Sequence, residues 1–208
     1  MVSDVAKGED AAATTAIGPN RPVRADAQRS LDALLLAAKT VFAASGVDAP
    51  VREIAEAAGV GLGTLYRHFP QRSDLVAAVF RREIDACADA GPVLAAEHSP
   101  SEALALWLQR FVDFVAAKRG LAAALHSGAP AFEALPAYFD ARLRPALKTL
   151  LEAAVAAGEI RAGVEPNDLL HAVGGLSAPA QDGEATRARR MVALLVDGLR
   201  YGAGGAQR

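Results

Sequence analysis

The sequence predicts an all-α protein. Hydrophobic residues make up 52% of its 208 residues and aromatic residues only 5%, with alanine and leucine dominant, a composition typical of packed helices. Proline and glycine fall mostly between stretches of helical periodicity, and no stretch alternates as a β-hairpin does. A chain of this length can bury one sizeable core or two small ones.

The N-terminal residues 1–24 are polar and rich in alanine and threonine, and we expect them to form a disordered arm. Arg21 and Arg24 end this arm. They could contact a phosphate or the minor groove of DNA, and the alternative is that they belong to a solvated tail. The first helix is predicted from about Asp26 to Ala44. Its inner face is formed by Leu31, Leu34, Leu35, Ala38 and Phe42.

The next motif is the run VREIAEAAGVGLGTLYRHF, from Val51 to Phe69, which predicts two short helices joined by a tight turn. Gly59 lies where a helix end commonly needs a left-handed residue. On the second helix an apolar stripe of Leu62, Leu65 and Phe69 lies opposite a polar face of Thr64, Arg67 and His68, with Tyr66 on the flank. Such polar groups can bond phosphate oxygens or base edges, so the run predicts a helix-turn-helix. An ordinary pair of core helices is the alternative.

The wider stretch from Arg29 to Phe80 resembles the DNA-binding domain of the tetracycline-repressor (TetR) family of bacterial regulators. The matching elements, in register, are AA-x-x-x-F-x-x-x-G at 37–46, then REIAEAAGV, then GTLYRHF. The resemblance implies an N-terminal three-helix DNA-binding domain over residues 25–72. It also implies that residues 73–208 contain a connecting helix and a helical effector-binding and dimerisation domain.

The family's DNA-contact positions fall on the supporting helix and on the start and end of the recognition helix. Together with Arg67 from the local pattern, the predicted DNA-binding residues are Arg52, Gly61, Leu62, Gly63, Thr64, Tyr66, Arg67, His68 and Arg72. Two positions depart from the family: Gly61 replaces a frequent serine, and Ala49-Pro50 replaces a frequent threonine or serine. Pro50 nevertheless suits the first turn of a helix.

Charge is divided unevenly along the chain. Residues 21–82 hold nine Lys and Arg against six Asp and Glu, a balance of +3, whereas residues 83–208 hold twelve against fifteen, a balance of −3. With −2 from the first twenty residues, the sum is the net charge of −2. A basic head on an acidic body suits contact with DNA at one end.

The remaining chain predicts further helices. The fourth is expected from Gln71 or Ser73 to about Ala90, with Gly91-Pro92 as a break or bend between the domains. The body helices are then predicted over Ser99–Lys118, Leu121–His126, Pro136–Ala157, a segment opened by Pro166, and Glu184 to about Tyr201.

The aromatic residues of the body indicate either a small-molecule pocket or a filled core. An effector pocket would be apolar with a few directional polar groups. Its predicted lining consists of Trp107, Phe111, Phe114, His126, Phe132, Tyr138, Phe139 and His171. In a filled core the two histidines would bond to carbonyls or water instead.

The last helix is apolar over much of its circumference, so it needs partners on two sides. With the helix opened by Pro166 it resembles the family's dimer interface, a four-helix bundle with two helices from each subunit. The predicted interface residues are Leu169, Leu170, Val173, Met191, Leu194, Leu195 and Leu199. A central helix buried within one monomer is the alternative.

No enzyme motif is present in the sequence. It has four histidines and one cysteine, and it lacks a phosphate-binding glycine loop, a nucleophile elbow and a His-x-x-x-His pair. We therefore expect no enzymatic activity, metal or cofactor. Cys87 is expected to be a small semi-buried side chain, with redox sensing as the alternative. The N-terminus lacks a signal peptide and no stretch could cross a bilayer, so the protein is expected to be cytoplasmic.

Together these features predict a DNA-binding transcriptional regulator. It would be a ligand-responsive repressor that binds a palindromic double-stranded operator as a homodimer and responds to an unknown small molecule. The alternative function is that of a small-molecule-binding helical protein with a vestigial DNA-binding head.

Overall fold

The computed structural model describes residues 21–118, 127–177 and 184–201. Within these ranges the chain is helical and has no strand, which confirms the all-α prediction. The elements are α1 (Arg21–Ser45), α2 (Val51–Ala57), α3 (Leu62–His68), α4 (Arg72–Glu97), α5 (Pro100–Lys118), a short 3₁₀ turn (Pro130–Phe132), α6 (Leu135–Ala156), α7 (Pro166–Leu176) and α8 (Glu184–Arg200). None of the described helices is long and apolar enough to span a membrane.

Helices α1 to α3 form an N-terminal head, and the start of α4 closes it. The predicted apolar stripes meet in its core, where the buried side chains include Leu34, Ala38, Phe42, Ile54, Leu65 and Leu75. Helix α1 begins at Arg21, so residues 21–24 of the predicted arm are helical instead. Residues 1–20 of that arm lie outside the described residues.

Helix α4 runs unbroken from Arg72 to Glu97, so the predicted break at Gly91-Pro92 is wrong. Pro92 removes one backbone N–H from the helix interior. The helix continues because its second half also packs into the body: Gly91 is buried, and a Cβ there would lie 3.7 Å from Leu150 and 3.8 Å from Trp107. One continuous helix therefore joins head and body.

The body is built around α5, which packs against α4, α6, α7 and α8. Leu104, Trp107 and Leu108 of α5 are fully buried, as are Leu143 and Leu147 of α6. Their three- and four-residue spacing places them on one face of each helix. The body helices near Ser99, Pro136, Pro166 and Glu184 appear close to their predicted bounds, and the predicted helix Leu121–His126 lies outside the described residues.

Candidate nucleic-acid interface

The turn between α2 and α3 has the geometry that the sequence predicts. Gly59 has φ +67°, a conformation that residues with a side chain rarely adopt. The backbone N–H of Val60 then donates to the carbonyl oxygen of Ala55 at 3.0 Å, which ends α2 and redirects the chain into α3. The two short helices thus form a compact helix-turn-helix against α1.

The inner faces of these helices are fixed by burial. Ile54 and Ala55 of α2 are 0% and 2% exposed, and Leu65 of α3 is 1% exposed. Phe69, directly after α3, is also buried, whereas Leu62 is half-buried. Because α3 is anchored on one side only, its opposite side is available for a ligand.

The outer side of α3 carries the polar groups. Tyr66 is 51% exposed, and Arg67 and Gly63 are also exposed, while Thr64 is half-buried at the edge. Arg52 is exposed on the neighbouring α2. Neither Arg52 nor Arg67 has an ion-pair partner among the residues that the structure describes. Two exposed guanidinium groups on the helix-turn-helix are suited to phosphate contact.

The start of α3 presents bare backbone. No side chain caps the helix at Gly61, although its carbonyl oxygen accepts from the N–H of Thr64 at 2.9 Å. A Cβ added at Gly61 or Gly63 would meet nothing within 4 Å. Glycine is therefore not needed at these positions to avoid a clash within the protein. It leaves the backbone at this end of α3 open to close approach by a ligand.

Arg72 has a structural role that the sequence did not reveal. Its Nη1 donates to the carbonyl oxygen of Ala49 at 2.7 Å and also to that of Val47, in the loop before α2. The side chain is half-buried. Arg72 therefore braces the loop before α2 from the start of α4, and it is not simply an exposed phosphate contact.

His68 lies at the inner edge of the predicted polar face. It is half-buried, with its ring centroid 6.3 Å from that of Phe69. It also lines a cleft of about 730 Å³ between the head and the body, together with Asp32, Leu35 and Tyr138. His68 is thus less exposed than Tyr66 and Arg67.

The start of α4 carries a cap that supports this arrangement. The Asp74 carboxylate accepts from the backbone N–H of Gln71 at 2.9 Å, and the Gln71 side chain caps the helix in return. Gln71, one of the two predicted start positions, is therefore the N-cap.

Comparison with known proteins is consistent with this geometry. Residues 34–79 match the model for bacterial regulatory proteins of the tetR family, and residues 99–201 match that for the SbtR-like transcriptional regulator C-terminal domain. A TetR transcriptional regulator from Streptomyces coelicolor is 40% identical, with a TM-score of 0.71, over 81% of this chain and 97% of that chain. This chain belongs to the tetR family.

Two further relatives extend the comparison. A TetR transcription regulatory protein from Mycobacterium vanbaalenii is 37% identical, with a TM-score of 0.70, over 86% of this chain and 99% of that one. HTH-type transcriptional regulators of Staphylococcus aureus are 38% identical over 64 residues, which is 30% of this chain and 35% of theirs. The match thus spans about a third of these curated relatives. TetR-family members are DNA-binding regulators and not enzymes.

Most of the aromatic side chains of the regulator's body pack against one another. The ring centroids of Trp107 and Phe111 lie 5.9 Å apart in a stacked arrangement, as do those of Phe111 and Phe114. Phe139 lies 6.1 Å from Phe111 and Phe80 lies 5.4 Å from Phe114. These contacts form a dense aromatic cluster. Its members are buried except for Phe139, which is half-buried.

The polar residues predicted for the pocket do not join this cluster. His171 is exposed on α7, where its Nδ1 lies 2.8 Å from the Asn167 carbonyl oxygen, so its predicted place inside the body is wrong. The apolar stripe of α7 turns inward and leaves His171 on the solvent side. Tyr138 lines the cleft beside the head, Phe132 is buried, and His126 lies outside the described residues.

The residues predicted for the dimer interface lie on two different faces. Leu169, Leu170, Val173 and Leu199 are buried within the single chain, so they do not form its outer surface, contrary to the prediction. Their spacing aligns them with the inner stripes of α7, which packs against α5 and α6, and of α8, which packs against α5. Leu194 is 62% exposed, whereas Met191 and Leu195 are half-buried at the margin between the two faces.

Proposed function

We propose that this regulator is a ligand-responsive repressor that binds a palindromic operator as a homodimer through α3. The observation that carries the proposal is the exposed Tyr66 and Arg67 on a helix whose other side is anchored by Leu65. A short helix with one buried stripe and one polar outer face suits the major groove. As a protein that binds chromosomal DNA, it would work in the cytoplasm.

The exposed groups have different roles in this proposal. Arg52 and Arg67 bind phosphate or guanine edges, and Tyr66 donates its hydroxyl to a phosphate oxygen. Thr64 contacts a base edge or a thymine methyl group. Gly61 and Gly63 have no side chain, so the α3 backbone can approach the DNA closely at these positions. Leu62 packs at the edge of this contact.

Dimerisation is proposed through the outer face of α7 and α8. Val192 and Val196 of α8 are 0% and 2% exposed and pack on its inner face, whereas Leu194 and Gly198 on the outer face are exposed. On α7, Leu176 is 37% exposed. Exposed apolar residues beside a small residue permit close packing of two helices from each of two subunits, and two-fold symmetry would place two copies of α3 along one operator.

The effector is proposed to act on the packing of α4 against α5 and α6. A small molecule that enters beside the half-buried edge of the aromatic cluster, at Phe139, would displace α6 from α4. It would relieve repression only if it prefers the conformation that does not bind DNA. Helix α4 would carry this displacement to the head, since it runs unbroken between the two.

A binding experiment with a matched control tests the proposal. Purified protein would be titrated into genomic fragments and analysed by gel shift, alongside Arg67→Ala and Arg144→Ala. Both arginines are exposed, but Arg144 lies on α6 in the body. We expect loss of binding for Arg67→Ala only. Equal binding by both variants, or no fragment bound by the wild type, would exclude the proposed role of α3.

A further inference from the structure

One turn of α4 is tied to the head by two ion pairs. Nη1 of Arg82 lies 2.7 Å from Oδ1 of Asp32, and Oε1 of Glu83 lies 2.8 Å from Nζ of Lys39. Both partners are on α1. The paired residues are 50 and 44 positions apart in the chain, so these contacts act on the tertiary arrangement and not on the local stability of either helix.

The same turn of α4 is tied to the body by a polar network. Oδ1 of Asp85 accepts from the Tyr138 hydroxyl at 2.7 Å and from Nε of Arg142 at 2.7 Å. Nη2 of Arg142 reaches further, to Asp89 at 2.7 Å, one turn along α4. Arg142 therefore spans two turns of α4 from a single position on α6.

A cleft separates head and body at this point. Its volume is about 730 Å³, and its lining includes Asp32, Arg82, Asp85 and Tyr138. The cleft is open space, so it contributes no packing between the two sides. At this cleft the polar contacts of residues 82–85 join α4 to α1 and α6, and they add to the direct packing of α4 against both helices elsewhere.

The side chains are exposed enough to separate without unfolding the protein. Arg82 is 43% exposed, Asp85 36% and Arg142 38%. Ion pairs at such positions contribute little to global stability because water solvates the separated charges well. Contacts of this kind can select one orientation among several that the apolar core would allow.

We propose that these residues form a clasp that fixes the orientation of the DNA-binding head relative to the body. The clasp consists of Asp32, Lys39, Arg82, Glu83, Asp85, Tyr138 and Arg142. Tyr138 and Arg142 act as positioning residues: they do not touch DNA, and they hold α4 through Asp85. The effect on DNA rests on the proposed function, whereas the effect on head orientation does not.

The clasp predicts that breaking its body side loosens the head. In the double variant Tyr138→Phe/Arg142→Gln, Asp85 loses the Tyr138 hydroxyl and the charged guanidinium of Arg142. The head then samples several orientations, and only the fraction with the right orientation binds the operator, which raises the apparent Kd by roughly tenfold. Arg144→Gln is the matched control, because Arg144 forms a 2.7 Å pair with Asp140 that stays within α6.

The test measures head orientation directly. Spin labels would be attached at Glu56→Cys on α2 and Glu152→Cys on α6, both exposed positions, while Cys87 stays unlabelled because it is buried. Labelled protein would be diluted into excess unlabelled protein, so that distances between subunits are suppressed. The distance distribution, the melting temperature and the Kd for a selected operator would be compared among wild type, the double variant and Arg144→Gln.

We expect the distance distribution of the double variant to widen about twofold at a nearly unchanged melting temperature, with Arg144→Gln like the wild type. Equal widths in all three proteins would overturn the clasp. A widened distribution with an unchanged or lower operator Kd would overturn its role in DNA binding. If the wild type binds no operator, the proposed function fails, but the distance measurement still decides the clasp.

Discussion

Nη1 of Arg72 lies 2.7 Å from the carbonyl oxygen of Ala49, and this hydrogen bond joins the first turn of α4 to the loop before α2. The same nitrogen donates to the carbonyl oxygen of Val47. The side chain thus joins two segments of the head, the α1–α2 loop and the start of α4. Arg72 therefore fixes the loop that leads into the helix-turn-helix.

This hydrogen bond distinguishes Arg72 from Arg67, although the two arginines look alike in the sequence. Arg72→Ala leaves two carbonyl oxygens without their donor and should lower the free energy of unfolding by about 1–3 kcal/mol. Arg67→Ala should leave it within about 0.5 kcal/mol, since Arg67 is exposed. Chemical denaturation measures both. Equal stability of the two variants would show that the Arg72 hydrogen bonds contribute nothing.

Arg67 should instead govern the salt dependence of binding. If it neutralises one phosphate, Arg67→Ala lowers the slope of log K against log salt concentration by about one. Thr64→Ala should change the preferred sequence while leaving that slope intact. Fluorescence anisotropy on a selected operator at several salt concentrations gives the slope. An unchanged slope for Arg67→Ala would remove Arg67 from the phosphate contacts.

The proposed dimer makes a prediction for Leu194. Leu194→Glu adds a charge to a side chain that is 62% exposed in the single chain, so the monomer should still fold. In the dimer the charge would be desolvated, which costs several kcal/mol and should yield monomers at micromolar concentration. Leu36→Glu is the control, because Leu36 on α1 is also 62% exposed. Sedimentation showing both variants dimeric would contradict the proposed interface.

The aromatic cluster predicts different outcomes for two phenylalanines. Phe111 is 2% exposed and packs against Trp107, so Phe111→Ala should destabilise the protein by about 3–5 kcal/mol. Phe139 is half-buried, so Phe139→Ala should cost less and should change the affinity for an apolar effector. Thermal shift and Trp107 emission with an apolar ligand library measure both effects. If no compound in the library binds, the result would favour a filled core over an effector pocket.

Cys87 should be unreactive in the folded protein. It is 2% exposed, and burial raises the pKa of its thiol to about 12, so almost no reactive thiolate exists at pH 8. Ellman's reagent should therefore react with Cys87 only after denaturation. Rapid reaction of the native protein would revive the alternative of a redox sensor.

The sequence predicted the head well because its signals are local. Gly59 marks the end of α2, and Leu62, Leu65 and Phe69 set the inner side of α3, all within one short run. Helix periodicity and a left-handed glycine are properties of neighbouring residues, so they are readable before tertiary structure is known. The length and identity of the body helices followed from the same periodicity.

The contacts between distant segments were not predictable in this way. Nothing local distinguishes Arg72, which binds carbonyl oxygens, from Arg67, which is exposed. Asp85 and Arg142 meet across 57 residues, and no spacing rule pairs them. The break expected at Gly91-Pro92 failed for a related reason: α4 packs against α5 and α6 in the body, and that packing cannot be recognised from the residues around Pro92.

We propose that this tetR-family member binds a two-fold symmetric operator with paired copies of α3. The most direct measurement is to sequence genomic fragments selected by the purified protein and to repeat the selection with Arg67→Ala and Leu194→Glu. We expect the wild type to enrich an inverted repeat whose half-sites are about one helical turn apart, and both variants to lose it. Enrichment of a site without symmetry, or of the same repeat by both variants, would rule out operator binding by paired copies of α3.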